Sequence, residues 1–597
     1  ASLRARMHAL DAALSKLELS KLFHAPWAHF TAGLQHCFDD EELSIFPALL
    51  ALSVGEDPDD EGFAAHIQGL QGELDTLRTI SDALRVAAVE ATDLERPVLE
   101  LLDDLDAHVE WEEENILPLV MAQLNMYEAH TNENEPVDEN NRVIRHTRGI
   151  CHTCLKEVPA EVTRRDDIVH LDKYCSEHGT TSQVLSYSPD YWEELDRYYF
   201  KVNQESWPQR DYIVRMTERC NLDCPICLAK ANTEETPDLD LSGLEDLLST
   251  RRGIKIDLMA AEPTLREDLE DWIRKVKATG NIAALHTNGL KLANRSYAQK
   301  LKDAGVDEVF LQFDGFDENA HKVLRGRPLL KARMATIKNM RELGIATSLI
   351  VVIAKGLNEA EVAKTYQFAL RPENSHIREV FFLGLRVLGS ARDAMKEQGS
   401  DLGEMTLMPD QLIEMLCSGD ESIQREDIRR FNKLYFALLS AFKVKKCLYV
   451  QHYLMVRNED GSATPISKLL NLPALDAAAE QFGVTRVAHP LRAKTLLLAA
   501  LARHGVSRET AKMLIDLVRL QMLFKSGMNL KEVPNRFLLL GFITACDPHN
   551  FDAQVAINCG KGELSVDGGY IESGAVANVN REVRFDSTDR RPGELKR

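Results

Sequence analysis

The spacing of apolar residues changes along the chain and divides it into segments of different structure. In residues 1–127 apolar side chains recur every three or four positions, as in the stripe Leu3, Met7, Leu10, Ala13 and Leu14 and in the stripe Val98, Leu101, Leu102, Leu105 and Val109. This period is typical of amphipathic helices. It predicts an N-terminal four-helix bundle.

From about residue 205 to 400 the pattern alternates between short apolar runs and helical segments. The runs predict six strands, Tyr212–Met216, Ile254–Met259, Ile282–His286, Glu308–Phe313, Thr347–Ala354 and Glu379–Leu383. Strands that alternate with helices favour a parallel sheet with crossover connections. The interpretation is a partial (β/α)6 barrel, whose chemistry is expected at the C-terminal ends of its strands.

The remaining segments complete a multidomain α/β prediction. Residues 128–150 are polar and aperiodic and are predicted to be a linker, followed by a small module over 151–204. Residues 401–597 are predicted to be an α+β domain that begins with helices. It continues with a hairpin over 447–456 and a turn at 458–461.

Composition and charge narrow the function classes. Of the 597 residues, 44% are hydrophobic and 27% are charged, as in soluble globular proteins. The formal net charge of -22 argues against a nucleic-acid partner. No apolar run is long enough to span a bilayer and no signal peptide is apparent, so a cytoplasmic location is predicted. The leucine-rich residues 496–542 leave open an apolar tunnel, peripheral membrane contact or ordinary helical core.

Candidate chemistry concentrates in a loop directly after the first predicted strand. Cys220, Cys224 and Cys227 have C-x3-C-x2-C spacing, and three such thiolates can hold three corners of a 4Fe-4S cluster and leave one iron open. The alternative is part of a zinc knuckle, for which this spacing is unusual. Polar motifs follow the next three strands, namely Ala260-Ala261-Glu262-Pro263-Thr264, Thr287-Asn288-Gly289 and Gln312-Phe313-Asp314-Gly315. Taken singly, Asn288 or Asp314 can equally cap a helix.

This ordered set resembles the radical S-adenosylmethionine (radical SAM) superfamily. The resemblance implies a 4Fe-4S cluster, S-adenosylmethionine and an electron donor such as ferredoxin or flavodoxin. It also implies that Ile226 contacts adenine and that Ala260, Ala261 and Glu262 take the methionine amino group, where the family usually has Gly-Gly-Glu. Asn288 and Asp314 would face the sulfonium and ribose. Candidates for the cofactor carboxylate or an anionic substrate group are Arg325 and Arg327.

A second cysteine pattern precedes the cluster loop. Cys151 and Cys154 are followed, after twenty residues, by Cys175 and His178, which is a spacing for tetrahedral zinc or rubredoxin-type iron. Residues Val162–Leu171 are predicted to form a short hairpin between the two halves. His178 is either the fourth ligand or a surface residue.

The combination over about residues 150 to 390 looks like the tetraether lipid synthase-like group, also described as pterin methyltransferase-like. The resemblance implies auxiliary iron–sulfur ligands in the C-terminal region. Cys447, Cys546 and Cys559 are either those ligands or buried apolar thiols, whereas Cys417 is expected in a helical core.

The N-terminal segment resembles hemerythrin-like di-iron bundles. His108 and Glu112 share a helix face and can hold one metal, together with His8 and His66. An internal repeat places Glu41 in register with Glu112 but Cys37 in register with His108, and His36 lies one residue away. The predicted iron site is therefore altered, mononuclear or lost. The alternative is a helical bundle whose histidines hold no metal.

The resemblance implies an enzyme that cleaves S-adenosylmethionine reductively to a 5′-deoxyadenosyl radical, which abstracts hydrogen from an unactivated C–H bond. Carbon–carbon bond formation on a lipid chain is the first hypothesis for the fate of the substrate radical. Modification of a small molecule or peptide, for example methylation, is the second. A hypothesis of another class is a non-catalytic iron-based oxygen or redox sensor.

Overall fold

The computed structural model describes residues 141–200, 207–232, 238–393, 405–447, 449–458, 460–486, 489–504, 529–544, 546–564, 570–571 and 573–588. The chain divides into two compact units, Ala1–Val137 and Asp138–Arg597, and all of the described residues belong to the second. The predicted N-terminal bundle, with His8, His36, Glu41, His66, His108 and Glu112, lies outside the described residues.

The first described element is a four-stranded antiparallel sheet. Its strands pair in the order of the chain and comprise β1 (Asn141–Ile150), β2 (Glu157–Arg165), β3 (Ile168–Cys175) and β4 (Gly179–Ser186). The predicted hairpin is confirmed, because β2 and β3 pair with Val162 opposite Leu171.

The predicted linker is wrong for residues 141–150, which form β1 and pair with β2 along their length. Its polar composition concealed the strand, because one of its polar side chains is buried. Arg145 donates from Nε to Asp196 at 2.9 Å and from Nη1 to Asp552 at 3.1 Å. An arginine that pairs with two carboxylates can be buried like an apolar residue. A prediction based on the spacing of apolar residues does not detect such a buried position.

The second sheet contains the six predicted parallel strands, in the predicted order. They are β5 (Asp211–Arg215), β6 (Lys255–Met259), β7 (Ile282–Thr287), β8 (Glu308–Gln312), β9 (Ala346–Ile353) and β10 (Ile377–Gly384). Each is parallel to the next. The six strands are buried along almost their whole length, which is typical of parallel sheets.

Helices connect and flank these strands. They are α1 (Pro189–Leu195), α2 (Leu241–Thr250), α3 (Leu269–Ala278), α4 (Arg295–Ala304), α5 (Glu318–Arg325), α6 (Leu330–Leu343), α7 (Glu361–Leu370), α8 (Pro409–Gly419), α9 (Arg425–Ala441), α10 (Leu472–Thr485), α11 (Pro490–His504), α12 (Ala553–Ile557) and α13 (Gly574–Thr588). A short π-helix (Asp196–Phe200) follows α1. Short 3-10 turns lie at Pro263–Leu265, Pro372–Asn374, Ile466–Lys468 and Leu530–Glu532. No described helix is both long enough and apolar enough to cross a membrane.

The C-terminal strands join the same sheet. They are β11 (Val450–Arg457), β12 (Ala463–Pro465), β13 (Phe537–Ile543), β14 (Lys561–Leu564) and β15 (Tyr570–Ile571). The strand order is β12-β11-β13-β10-β9-β8-β7-β6-β5-β14-β15, so they extend both edges of the six-stranded core. The expected hairpin is confirmed as β11 and β12. The described part of residues 401–597 contains both helices and strands, and its strands belong to the same sheet as the six central strands.

One face of the central strands carries charged side chains near the N-terminal strand ends. Nζ of Lys255 on β6 lies 2.5 Å from Oε1 of Glu308 on β8. Oγ of Ser348 on β9 donates to Glu379 on β10 at 2.9 Å. Because side chains alternate between the two faces of a strand, the same face presents Met259, Phe310, Ile350 and Leu383 nearer the C-terminal ends. These four side chains line a cavity there.

Candidate functional site

A cavity of about 320 Å³ opens at the C-terminal ends of the parallel strands. Its wall brings together residues that are far apart in the sequence but were predicted from the strand-end motifs. These residues are Cys220, Cys224, Ile226, Cys227, Ala260, Ala261, Glu262 and Asn288. Such convergence is expected where parallel strands end at one edge of a sheet.

The loop after β5 points three thiols at this cavity. Backbone N–H groups of Leu222 and Ala231 each donate to a thiol, to Cys220 and Cys227 respectively, at 3.4 Å. Burial raises the pKa of the Cys220 thiol to about 12 and also raises the pKa of Cys224. Buried thiols supported by N–H donors fit iron ligands, since binding a metal displaces the thiol proton. The donor set suits a cluster that is held at three corners.

The turn after β6 has strained backbone at the two alanines. Ala260 has φ 74° and Ala261 has φ 28°, which is the left-handed region that favours glycine. The related motif has two glycines here, so the alanines adopt the conformation of that motif at a cost of about 1–2 kcal/mol each. Strain of this kind is often retained at functional sites.

Glu262 organises the ends of two strands. Its carboxylate is buried and accepts hydrogen bonds from Thr264 Oγ1 at 2.6 Å, from Thr287 Oγ1 at 2.7 Å and from the Asn288 backbone N–H at 2.8 Å. Burial raises its pKa, and these donors oppose the rise. A direct contact of Glu262 with a cofactor stays a prediction, while its role in placing Asn288 follows from these bonds.

Asn288 connects the end of β7 to the cluster loop. Its Nδ2 donates to Asn221 Oδ1 at 2.7 Å and lies 3.8 Å from the Cys220 sulfur. Its Oδ1 accepts from the Leu290 backbone N–H at 3.0 Å, so it also caps the turn that follows the strand. Both of its predicted roles are therefore compatible with its position.

Asp314 forms a buried ion-pair cluster behind the cavity wall. Arg325 donates to its two carboxylate oxygens at 2.8 and 2.9 Å, and Arg333 donates at 3.1 Å. Arg325 lines the cavity and interacts with Cys224, whereas Asp314 is not among the lining residues. Arg327 is exposed and is also not among them. Of the two predicted arginines, Arg325 is the one at the cavity.

We expect Asp314→Asn to lower the free energy of unfolding by about 3–5 kcal/mol, because it leaves Arg325 and Arg333 buried without a counter-charge. Burial opposes ionisation, but the two guanidinium groups hold the pKa of Asp314 well below its ordinary value. A lowered pKa stabilises the fold above about pH 3.9 and loses that effect as the pH falls.

Urea unfolding of the wild type and of Asp314→Asn should therefore differ most at neutral pH and converge in acid. Asp317, which is partly exposed and outside the ion-pair cluster, provides the matched control, since Asp317→Asn keeps the cap acceptor of its bond to the Asn319 N–H. A difference between wild type and Asp314→Asn that does not shrink in acid would contradict the assignment.

The sequence did not single out three other polar residues in the cavity wall, Arg215, His286 and Arg386. Arg215 donates to Glu218 at 2.6 Å, and Arg386 Nη2 lies 2.7 Å from Asp547. Each sits within or directly after a strand, on the side that faces the cavity. Arg215 and His286 lie within two of the six predicted strands, and Arg386 follows a third. Which face of the sheet each side chain takes can be assigned only when the register of the strands is known.

The segment after β10 closes the cavity beside the cluster loop. The Ser390 N–H donates to the Cys227 carbonyl at 2.9 Å, and a Cβ on Gly389 would lie 2.3 Å from that oxygen. Gly389 has φ +55°, and its N–H donates to Glu582 on α13 at 2.7 Å. A glycine is required at this close approach.

The predicted metal knuckle is assembled at one end of the antiparallel sheet. The ligand atoms of Cys151, Cys154, Cys175 and His178 all lie within 4.8 Å of one another. The Cys154 and Cys175 sulfurs are 3.9 Å apart, and His178 Nδ1 lies 3.5 Å from the Cys175 sulfur. Two sulfurs at about 2.3 Å from a tetrahedral zinc would be about 3.8 Å apart, so the four groups fit such an ion. His178 is placed with the ligands rather than at an isolated surface position.

The three scattered C-terminal cysteines approach one another around the ends of β11, β13 and α12. Burial, with a contribution from the neighbouring Cys559, raises the pKa of Cys447 to about 12. Burial also raises the pKa of Cys546, with Cys447 and Cys559 contributing. Among the described residues only the Cys151 group brings three or more ligand atoms within 4.8 Å of one another. Ligation of an auxiliary cluster by Cys447, Cys546 and Cys559 stays a prediction.

Comparison with known families identifies three domains. Residues 214–369 match the radical SAM superfamily, residues 143–187 match the HMPTM N-terminal zinc ribbon domain, and residues 1–120 match the hemerythrin HHE cation binding domain. The chain thus carries a radical SAM domain, a zinc ribbon and a hemerythrin domain. The radical SAM and hemerythrin resemblances drawn from the sequence are confirmed.

Two curated relatives and one solved structure are similar to parts of the chain. A 7,8-dihydro-6-hydroxymethylpterin dimethyltransferase of Methanocaldococcus jannaschii is 26% identical over 466 residues, which are 69% of this chain and 89% of the relative. A GTP 3′,8-cyclase of Campylobacter curvus is 29% identical over 200 residues, 32% of this chain and 60% of the relative. SuiB of Streptococcus suis bound to S-adenosylmethionine matches 35% of this chain and 46% of its own, with 16% identity and a TM-score of 0.29. A structural likeness this low supports no further argument.

Proposed function

We propose that this chain, which carries a radical SAM domain, uses a 5′-deoxyadenosyl radical to modify carbon in a small heterocyclic substrate, with methylation as the reaction. The main support for this proposal is the cavity, whose wall contains Cys220, Cys224 and Cys227 together with residues at the ends of β6 and β7. When bound, the 4Fe-4S cluster and S-adenosylmethionine supply the electron and the radical. The chain's own residues hold the cofactor, exclude water and position the substrate.

Two observations support a small substrate and methylation. The similarity to the pterin dimethyltransferase covers 89% of that relative, and thus more than a radical SAM domain alone. The cavity of about 320 Å³ must hold S-adenosylmethionine as well, which leaves room for a compact group rather than a long chain.

Carbon–carbon bond formation on a lipid chain is the second candidate. The outer wall of the cavity favours it, because apolar side chains there could lie along an acyl chain. They are Leu222, Ile226, Leu228, Leu385 and Leu388. Leu228 is also 38% exposed, so the apolar wall continues to the surface. A lipid substrate would entail peripheral contact with a membrane.

The other sites are proposed to serve this reaction. Cys151, Cys154, Cys175 and His178 would hold zinc or iron, and Cys447, Cys546 and Cys559 would hold an auxiliary cluster. The N-terminal domain would hold iron through His8, His66, His108, Glu112 and the altered set His36 and Glu41. An electron donor such as ferredoxin or flavodoxin would reduce the cluster in the cytoplasm. A non-catalytic oxygen or redox sensor is the alternative of another class.

Anaerobic reconstitution tests these candidates. The reduced protein is incubated with S-adenosylmethionine and either 7,8-dihydro-6-hydroxymethylpterin or vesicles of isoprenoid lipid. We expect 5′-deoxyadenosine together with a methylated pterin. Coupled lipid chains without methylated pterin would favour the second candidate. Failure to cleave S-adenosylmethionine under any of these conditions would overturn the enzyme proposal and favour the sensor.

A further inference from the structure

A histidine and an aspartate form a buried pair at the floor of the cavity. His286 on β7 lines the cavity, and 24% of its side chain is exposed, whereas only 1% of the Asp257 side chain on β6 is exposed. Nε2 of His286 lies 3.3 Å from Oδ1 of Asp257. Among the described residues neither atom makes a hydrogen bond of regular geometry, so each is the nearest group that can satisfy the other.

The surroundings keep the aspartate charged. The second carboxylate oxygen of Asp257 pairs with Lys561 on β14. Burial opposes ionisation of Asp257, but the positive charge of Lys561, with a contribution from Lys255, outweighs it and holds the pKa of Asp257 well below the ordinary value. Lys255, on the same strand, is itself paired with Glu308 of β8.

The same surroundings keep the histidine neutral. Burial is the largest influence and lowers the pKa of His286, and Lys561 and Lys255 lower it further, while Asp257 opposes them. A neutral imidazole carries one proton. Because Nε2 faces an ionised carboxylate, that proton belongs on Nε2. Nδ1 is then an unprotonated acceptor.

The ring of His286 also forms part of a flat surface. It stacks on Phe310 of β8 with ring centroids 4.3 Å apart and an interplanar angle of 0°. Met259, Ile350 and Leu383 are neighbouring parts of the same wall. A flat apolar surface with one nitrogen acceptor at its edge is complementary to a planar ring that carries an N–H or O–H donor.

We propose that His286 is a catalytic proton acceptor for a planar substrate with an N–H or O–H group, and that Asp257 is the positioning residue that fixes its tautomer. This rests on the proposed function. In the step, the X–H bond of the substrate breaks with its electron pair staying on X, and the proton forms a bond to Nδ1. The imidazolium produced lies beside the Asp257 carboxylate, and no electron is transferred. A hydrocarbon chain lacks such a donor and would gain nothing from this acceptor.

The first test removes the imidazole and supplies it from solution. In the reconstituted holoenzyme with 7,8-dihydro-6-hydroxymethylpterin, we expect His286→Ala to lower product formation about 100-fold, the lower range for a general base. Added imidazole should restore at least about a tenth of the activity by occupying the vacated space. His489→Ala, at an exposed position, is the matched control.

The proposal would be overturned if His286→Ala formed product nearly as fast as the wild type. It would also be overturned if imidazole failed to restore activity to His286→Ala. A purely structural histidine would also lose activity, but free imidazole would not restore it. Asp257→Asn should lower product formation to a similar extent without rescue, because the imidazole is still present in the unfavourable tautomer.

A second measurement requires no turnover. Nitrogen-15 spectra of histidine-labelled holoenzyme, assigned by the signal missing in His286→Ala, should show Nε2–H and unprotonated Nδ1 at pH 7. An Nδ1–H tautomer or an imidazolium would overturn the inference even if the pterin is methylated. If the wild type does not methylate the pterin but the predicted tautomer is found, the proposed function fails and the acceptor is supported.

Discussion

Cys224→Ala is expected to abolish reductive cleavage of S-adenosylmethionine, with a fall of about a thousand-fold or more, or about 4 kcal/mol in the barrier. Cys224 is one of the three thiols that line the cavity, and the described part of the wall contains no further cysteine. Two thiolates cannot hold three irons of a cluster. The measurements are iron and sulfide per chain and the amount of 5′-deoxyadenosine formed by the reduced protein.

Cys417→Ala is the matched control for that loss. Cys417 lies on α8, packs against the hydrophobic core and is not part of the cavity wall. Its removal should leave iron content and cleavage unchanged. Full iron content and cleavage in Cys224→Ala would show that the cluster is held elsewhere, which would remove the basis of the proposed function.

The strands and the cluster loop were predictable because their signals are local. Each central strand is a short apolar run, and each polar motif begins within a residue or two of the strand end. Helix boundaries follow equally local rules, as where Gly305 and Gly344 end α4 and α6 in the left-handed conformation. Local patterns therefore specified both the six parallel strands and many of the residues that line the cavity.

The parts that sequence reasoning missed depend on long-range pairing. β1 looked like a linker because its buried arginine meets Asp552, which lies 407 residues further along the chain. β13 pairs with β10 and β14 pairs with β5, but the sequences of β13 and β14 do not indicate which strands they pair with. His286 and Asp257 likewise become a pair only through the register that places β6 beside β7. Such contacts are set by tertiary packing and not by periodicity.

The Ala260–Ala261 turn illustrates how sequence and structure combine. The sequence showed alanine at two positions where the related motif has glycine. The positive φ angles of both residues show that these alanines carry a conformational cost in the backbone. The hydrogen bonds of Glu262 to the neighbouring strand end hold this turn and so offset the strain.

Removing one ligand of the metal knuckle is expected to release the bound metal and destabilise the antiparallel sheet. Cys154→Ser should reduce bound zinc or iron by about one ion per chain and unfold the antiparallel sheet around it, because binding of a structural zinc contributes about 10–16 kcal/mol to folding. The ligand group lies between the turn after β1 and the end of β3, so its loss frees both turns. Metal analysis and protease cleavage within residues 141–186 measure the two consequences.

The loss should extend beyond the knuckle, because its first turn is tied to the cavity wall. Nη2 of Arg392 donates to the His152 carbonyl at 3.0 Å, and Arg392 Nη1 also lies 3.5 Å from Glu582, which holds Gly389 beside the cluster loop. We therefore expect Cys154→Ser to slow cleavage of S-adenosylmethionine while the iron–sulfur content stays near that of the wild type. His170→Asn on β3, outside the ligand group, is the matched control and should retain the metal. Unchanged metal content in Cys154→Ser would contradict the ligand assignment, and unchanged cleavage would show that the contact through Arg392 does not couple the two sites.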